Sequence, residues 1–140
     1  MLLSKRSDLP VNPKRIFFVC IENSNRSQIA EVFARIHGGL GIEAYSAGSR
    51  PSGKVNPKAI ESMREIGCDL SAHVSKSLDS LPPSDFDAVV TMGCGDACPF
   101  VKANIREDWQ IPDPKHLPPN EFRAIRDLIE SKVKERLARL

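Results

Sequence analysis

The residues of this chain whose types and spacing best suit chemistry are Cys20, Arg26 and Ser27, in the stretch Cys20-Ile21-Glu22-Asn23-Ser24-Asn25-Arg26-Ser27. A thiolate attacks electrophiles, and a guanidinium offers a planar fork to two oxygens of a tetrahedral anion. Ser27 can donate a hydrogen bond to the Cys20 sulfur. If the stretch opens a helix, the N–H groups of residues 21 to 26 can converge on the same anion, because the first donors of a helix lack partners and its dipole favours negative charge. Ile21, Glu22, Asn23, Ser24, Asn25, Arg26 and Ser27 are therefore the candidate oxyanion cradle, with Cys20 at its mouth. The competing reading is a buried strand-end cysteine beside a surface arginine.

The flanks supply the elements that such a cradle needs. Arg15-Ile16-Phe17-Phe18-Val19 is too short for a helix and rich in strand formers, which predicts a central strand buried on both faces. After the loop, Ile29, Val32, Phe33 and Ile36 recur at helical spacing. Ile42 to Ala47 alternates like a second strand before Gly48. Asn56 is placed to cap a helix with Pro57 at its first position, Ala59, Ile60, Met63 and Ile66 on its inner face and Gly67 closing it. Phe86 to Met92 reads as a further buried strand. A long C-terminal helix follows, with Asn120 as its expected cap and Phe122, Ile125, Ile129, Val133, Leu137 and Leu140 on one face. Strands alternating with helices imply right-handed crossovers and a doubly wound α/β sandwich, in which ligands bind beyond the carboxyl ends of the strands. The loops after Cys20 and after Met92 then share one rim.

That second loop, Gly93-Cys94-Gly95-Asp96-Ala97-Cys98, brings two more cysteines to the rim. Three readings stand: a redox pair, half of a zinc site, or incidental packing. No second close pair of ligands completes a zinc site, and His37, His73 and His116 are scattered. A disulfide needs a Cα separation of roughly 4.4 to 6.8 Å, and the glycines supply backbone freedom for it. Asp113, between Pro112 and Pro114, sits on a backbone with few choices and is either a fixed carboxyl over the rim or a solvated loop residue. Cys68 reads as a small apolar group rather than a participant.

At 140 residues and 15.5 kDa, one core of ordinary size suffices. Residues 1–14 are expected to be a polar, flexible leader and 15–140 a single catalytic domain. A formal charge of +2 is too weak to argue for nucleic acid, and no run approaches membrane-spanning length. Four cysteines without a signal peptide predict a reducing, cytoplasmic setting.

The Cys20–Ser27 stretch, its continuation through Gln28-Ile29-Ala30-Glu31, Ser46-Ala47-Gly48, Thr91-Met92-Gly93-Cys94-Gly95-Asp96-Ala97-Cys98-Pro99 and Asp108-Trp109-Gln110-Ile111-Pro112-Asp113-Pro114 together resemble the low-molecular-weight protein tyrosine phosphatase superfamily, and most of all its arsenate reductase branch. The resemblance covers nearly the whole chain from Arg15. It implies a three-layer α/β sandwich with a central four-stranded parallel sheet. It also implies reduction of arsenate to arsenite by three cysteines in series, at the positions of Cys20, Cys94 and Cys98, with Asp113 as general acid. Phosphate or sulfate would compete, thioredoxin or another thiol donor would recycle the disulfide, and a monomer without metal or organic cofactor is expected. A phosphatase using Cys20, Arg26 and Asp113, or a non-catalytic oxyanion-binding or redox-sensing module, are the alternatives.

Four departures from the family pattern stand out. Glu22 replaces a small or uncharged residue, so its carboxylate must point outward. The gap between Cys94 and Cys98 is short. Lys115-His116-Leu117 follows the Asp-Pro where phosphatases carry tyrosines, so an aromatic ester would find little to stack upon. Lastly, Asn23, Glu31 and Ser46 match ligand positions for a potassium ion found in some members, but Lys76 stands where a carboxylate ligand would be expected. Its ammonium is predicted to pair with Glu31 in the ion's place.

Overall fold

The computed structural model describes residues 13–80, 85–93 and 103–140. Four parallel strands, β1 (Lys14–Cys20), β2 (Ile42–Gly48), β3 (Phe86–Thr91) and β4 (Ala103–Asp108), lie in the order β2-β1-β3-β4. Among the described residues three α-helices join or follow them: α1 (Arg26–Gly38), α2 (Pro57–Arg64) and α3 (Pro119–Ala138). The chain folds as an α/β sandwich, as its alternating pattern predicts. The leader expected at residues 1–14 falls almost entirely outside the described residues; Lys14 already belongs to β1.

β1 is central because it can be buried on both sides. Ile16 and Phe18 enter the main core with Ile29 and Phe33 of α1, Met63 of α2 and Phe122, Ile129 and Val133 of α3. Phe17 and Val19 face the other way, into a second cluster with Ala47, Phe86 and Val89. Phe17 and Phe86 rings lie 5.2 Å apart there. Truncating a fully buried phenylalanine such as Phe18 would cost about 3–5 kcal/mol.

Three details depart from the sequence pattern. Ile36 and Ile66 are exposed, at 53% and 42%: Ile36 lies in the last turn of α1, and Ile66 falls in the turn beyond Arg64, where α2 ends earlier than the sequence pattern predicts. Asn120 is inside α3 rather than at its cap: Pro118 precedes the helix and Pro119 opens it, its missing N–H costing nothing in the first turn. Asn56 caps α2 as predicted, its Oδ1 accepting from the Lys58 N–H at 3.0 Å. β4, an edge strand of mixed polarity, has no counterpart among the sequence-predicted segments.

Candidate active site

β1 ends at Cys20 and α1 begins at Arg26, so the cradle stretch is the turn between a strand's carboxyl end and a helix's amino end. Its shape is set by where its carbonyls go. Ile21 O accepts from Arg50 N at 2.8 Å, Glu22 O from Ser52 N at 3.1 Å and Ser24 O from Asn56 N at 3.1 Å. Ser75 Oγ also donates to Glu22 O, and Gln28 Nε2 to Asn23 O. In a planar trans peptide the N–H points opposite to the C=O. Tying these carbonyls to the surrounding loops therefore turns the N–H groups of the following residues toward the loop's interior. No acidic residue lies in the first turn of α1, and no side chain caps it. Its positive end is left for an anion.

Asn23 holds the loop together. It sits at φ 52°, in the left-handed region that asparagine tolerates better than most residues, and is fully buried. Its Nδ2 donates to Ser27 Oγ at 2.7 Å and Ser46 Oγ at 3.0 Å, while its Oδ1 accepts from Lys76 N at 2.8 Å and Gln28 Nε2 at 2.9 Å. Ser27 Oγ lies 2.8 Å from Cys20 Sγ, as the spacing predicts. A hydrogen-bonded chain thus runs from the sulfur through Ser27, Asn23 and Ser46 to the buried carboxylate of Glu31, which accepts from Ser46 Oγ at 2.5 Å. Glu31 is also 2.7 Å from Arg35 Nη2 and 3.6 Å from Lys76 Nζ. With two cations already on this carboxylate, the residues present do not fit a potassium site.

Gly48 explains why the end of β2 matters. A Cβ there would lie 2.4 Å from Ile21 O and 3.0 Å from Asn23 N, inside the backbone of the cradle, so only glycine lets β2 pass so close. Gln28 and His73 form a further layer that sequence reasoning missed: His73 Nδ1 is 3.1 Å from Gln28 Oε1, and Gln28 Nε2 reaches Val74 O at 2.8 Å. Their signal is confined to a polar Gln that directly follows the cradle, in the first turn of α1. Burial holds the His73 imidazole below its ordinary range, with Arg35 and Lys76 adding to the effect and Glu31 and Asp69 opposing it.

Arg26 is nearly buried, and its Nη1 donates to Ile111 O at 2.8 Å, tying the cradle to the segment that carries Asp113. Asp113 lines one narrow cleft with Cys20, Ile21, Glu22, Ser24, Asn25 and Arg26. Its Oδ1 accepts from Lys115 N at 3.0 Å, which fixes the carboxyl against its own backbone. Gly93, two residues beyond the end of β3, would bring a Cβ within 3.0 Å of Arg26 Nη1, so the rim convergence expected from topology reaches Gly93. Cys94 and Cys98 lie outside the described residues. Cys68 is free and partly buried, with its thiol pushed up by burial and by nearby Glu130. Among the described residues, no three His, Cys, Asp or Glu side chains cluster as metal ligands, and no helix is long and apolar enough to cross a membrane.

Residues 15–140 match the family model described as low molecular weight phosphotyrosine protein phosphatase. The chain is 40% identical over 127 residues to arsenate reductase 2 of Staphylococcus haemolyticus, covering 88% of this chain and 95% of that one. It is 37% identical over 130 residues to the glutaredoxin arsenate reductase of Synechocystis sp., covering 91% and 98%. A solved arsenate reductase in a phosphate-binding state superposes with a TM-score of 0.82 at 37% identity, covering 90% of this chain and 98% of that one. With this cradle, this sheet order and these relatives, the chain belongs to the low molecular weight phosphotyrosine protein phosphatase family.

Proposed function

We infer that the protein is an arsenate reductase. The observation that carries the reading is the turn from β1 to α1, where the Cys20 sulfur lies 2.8 Å from Ser27 Oγ and Cys20 lines one cleft with Arg26 and Asp113. Arsenate settles on the N–H groups of residues 21–26 and on Arg26, which exchanges or shares its bond to Ile111 O for the anion. The Cys20 thiolate attacks arsenic, and Asp113 protonates the departing oxygen. Cys94 then attacks the Cys20 sulfur. The arsenic–sulfur bond breaks with its electron pair staying on arsenic, so arsenate leaves as arsenite and two thiols become a Cys20–Cys94 disulfide. Cys98 attacks next, leaving Cys94–Cys98 for an external thiol to reduce.

Thioredoxin is the proposed reductant, with glutaredoxin the natural second, since one similar protein carries that name. We further read 15–140 as one catalytic domain, acting as a cytoplasmic monomer. The test is arsenite formation with thioredoxin, its reductase and NADPH: steady turnover supports the reading, whereas hydrolysis of para-nitrophenyl phosphate without arsenite formation would make the protein a phosphatase. That second reading is favoured by the family match and needs Cys20, Arg26 and Asp113 but neither Cys94 nor Cys98. Slow ester hydrolysis alongside reduction would not support it, since the shared cradle suffices for activated esters.

A further inference from the structure

Glu22 is an odd residue to find in an anion-binding loop. Its carboxylate belongs to a residue that lines the same cleft as Cys20 and Arg26, where an unpartnered negative charge would oppose arsenate. Lys115 meets it: Lys115 Nζ lies 3.2 Å from Glu22 Oε1 and 3.1 Å from Oε2, although 93 residues separate the two in sequence. Lys115 is also the residue whose N–H is bound by the Asp113 carboxyl. Its own backbone is braced from a third element, because Lys58 Nζ, in the first turn of α2, donates to Lys115 O and Leu117 O, both at 3.3 Å. Leu117 N closes the turn onto Pro114 O at 3.0 Å.

Three elements are therefore joined at one residue, Lys115, through its side chain to Glu22 and through its backbone to Asp113 and Lys58. The cradle contributes Glu22, the segment after Asp113 contributes Lys115, and the start of α2 contributes Lys58. We propose that Glu22 and Lys115 form a strap across the site that neutralises the cradle's one carboxylate and positions Asp113 over the bound oxyanion. Lys115 is a positioning residue here, since it acts through Glu22 and Asp113. The strap rests on the reading of Asp113 as general acid, while its electrostatic half rests only on the cradle binding an anion.

The two halves predict effects of different sign, which a surface ion pair without a role would not produce. Inorganic phosphate, titrated calorimetrically against the full chain with Cys20 reduced, reads the first half. Lys115→Met leaves Glu22 uncompensated and should weaken phosphate binding about three- to five-fold, the range expected when one half-exposed charge of a pair is removed. Glu22→Gln removes the repulsion at its source and should bind phosphate as tightly as the parent or more so. The double variant should match Glu22→Gln, restoring what Lys115→Met loses. Arsenate turnover reads the second half: both single variants should lower kcat by about three- to five-fold, and in an Asp113→Asn background Lys115→Met should lower it no further.

Phosphate affinity unchanged in Lys115→Met, or weakened equally in Glu22→Gln, would overturn the electrostatic half. An undiminished drop in kcat in the Asp113→Asn background would overturn the positioning half. Should the parent protein fail to make arsenite at all, the phosphate titrations still decide whether the strap serves the anion, so the failure of the function and that of the strap can be told apart.

Discussion

At the scale of single residues, the site is built from side chains that each satisfy two demands. Asn23 fixes a left-handed loop residue and relays the Ser27 hydroxyl to Ser46; Lys76 gives its backbone N–H to Asn23 and its ammonium to Glu31. Because Lys76 and Arg35 both face Glu31, the protein should be indifferent to potassium. Exchanging sodium for potassium at constant ionic strength should leave the melting temperature and turnover unchanged, and a clear rise in either would show that the ammonium does not substitute for the ion. His73 makes a second prediction. Its imidazole is depressed below the ordinary value of 6.5 by burial, so the folded state prefers it neutral, whereas the unfolded chain takes up a proton near that value. The contribution to stability is intact above pH 6.5 and falls as pH drops below it. Melting temperatures measured from about pH 7.5 to about pH 5.5 should decline less steeply in His73→Gln than in the parent, and parallel curves would count against the assignment.

Elements were legible in the sequence to the extent that their pattern was apolar. The run from Arg15 to Val19 announced β1 because burial on both faces demands unbroken strand formers, and Asn56-Pro57 announced α2 through its cap. The cradle was legible too, since Cys20, Arg26 and Ser27 do their work within one turn of chain. β4 was not. Its residues Ala103 to Asp108 carry three charges, and the strand lies at the sheet edge, where one side needs little apolar cover. It is held by a tertiary ion pair invisible to local pattern: the nearly buried Arg136 of α3 binds Glu107, which also accepts from Trp109 Nε1 at 3.0 Å. Burial opposes ionisation of Glu107, but the bonds from Trp109 and Arg136 outweigh it and hold its carboxyl below the usual range. Glu107→Ala should therefore leave a buried guanidinium short of a partner and cost about 2–3 kcal/mol in urea unfolding, with Arg136→Met in the same chain recovering part of the loss. The Gln28–His73 layer and the Glu22–Lys115 strap escaped sequence reading for the same reason, because their partners are 45 and 93 residues apart.

For the whole molecule, the parallel sheet gathers the cradle, Gly93 and the Asp113 segment on one rim, and the order β2-β1-β3-β4 makes β1 and β3 neighbours. That adjacency brings the carboxyl ends of β1 and β3 to neighbouring positions on the rim, with Val19 paired to Thr91. The relay requires Cys94 to act before Cys98, so each cysteine has a distinct arrest point. Cys94→Ser should leave arsenic on Cys20 or release it only with external thiol. The most direct measurement is a single turnover of Cys98→Ser with one equivalent of arsenate, quenched under conditions that block thiol exchange and followed by arsenite assay and disulfide mapping. The relay predicts close to one arsenite per protein, no further cycling with thioredoxin, and a disulfide joining Cys20 to Cys94. A recovered disulfide that lacks Cys94, or a Cys98→Ser protein that cycles with thioredoxin at the parent's rate, would contradict it.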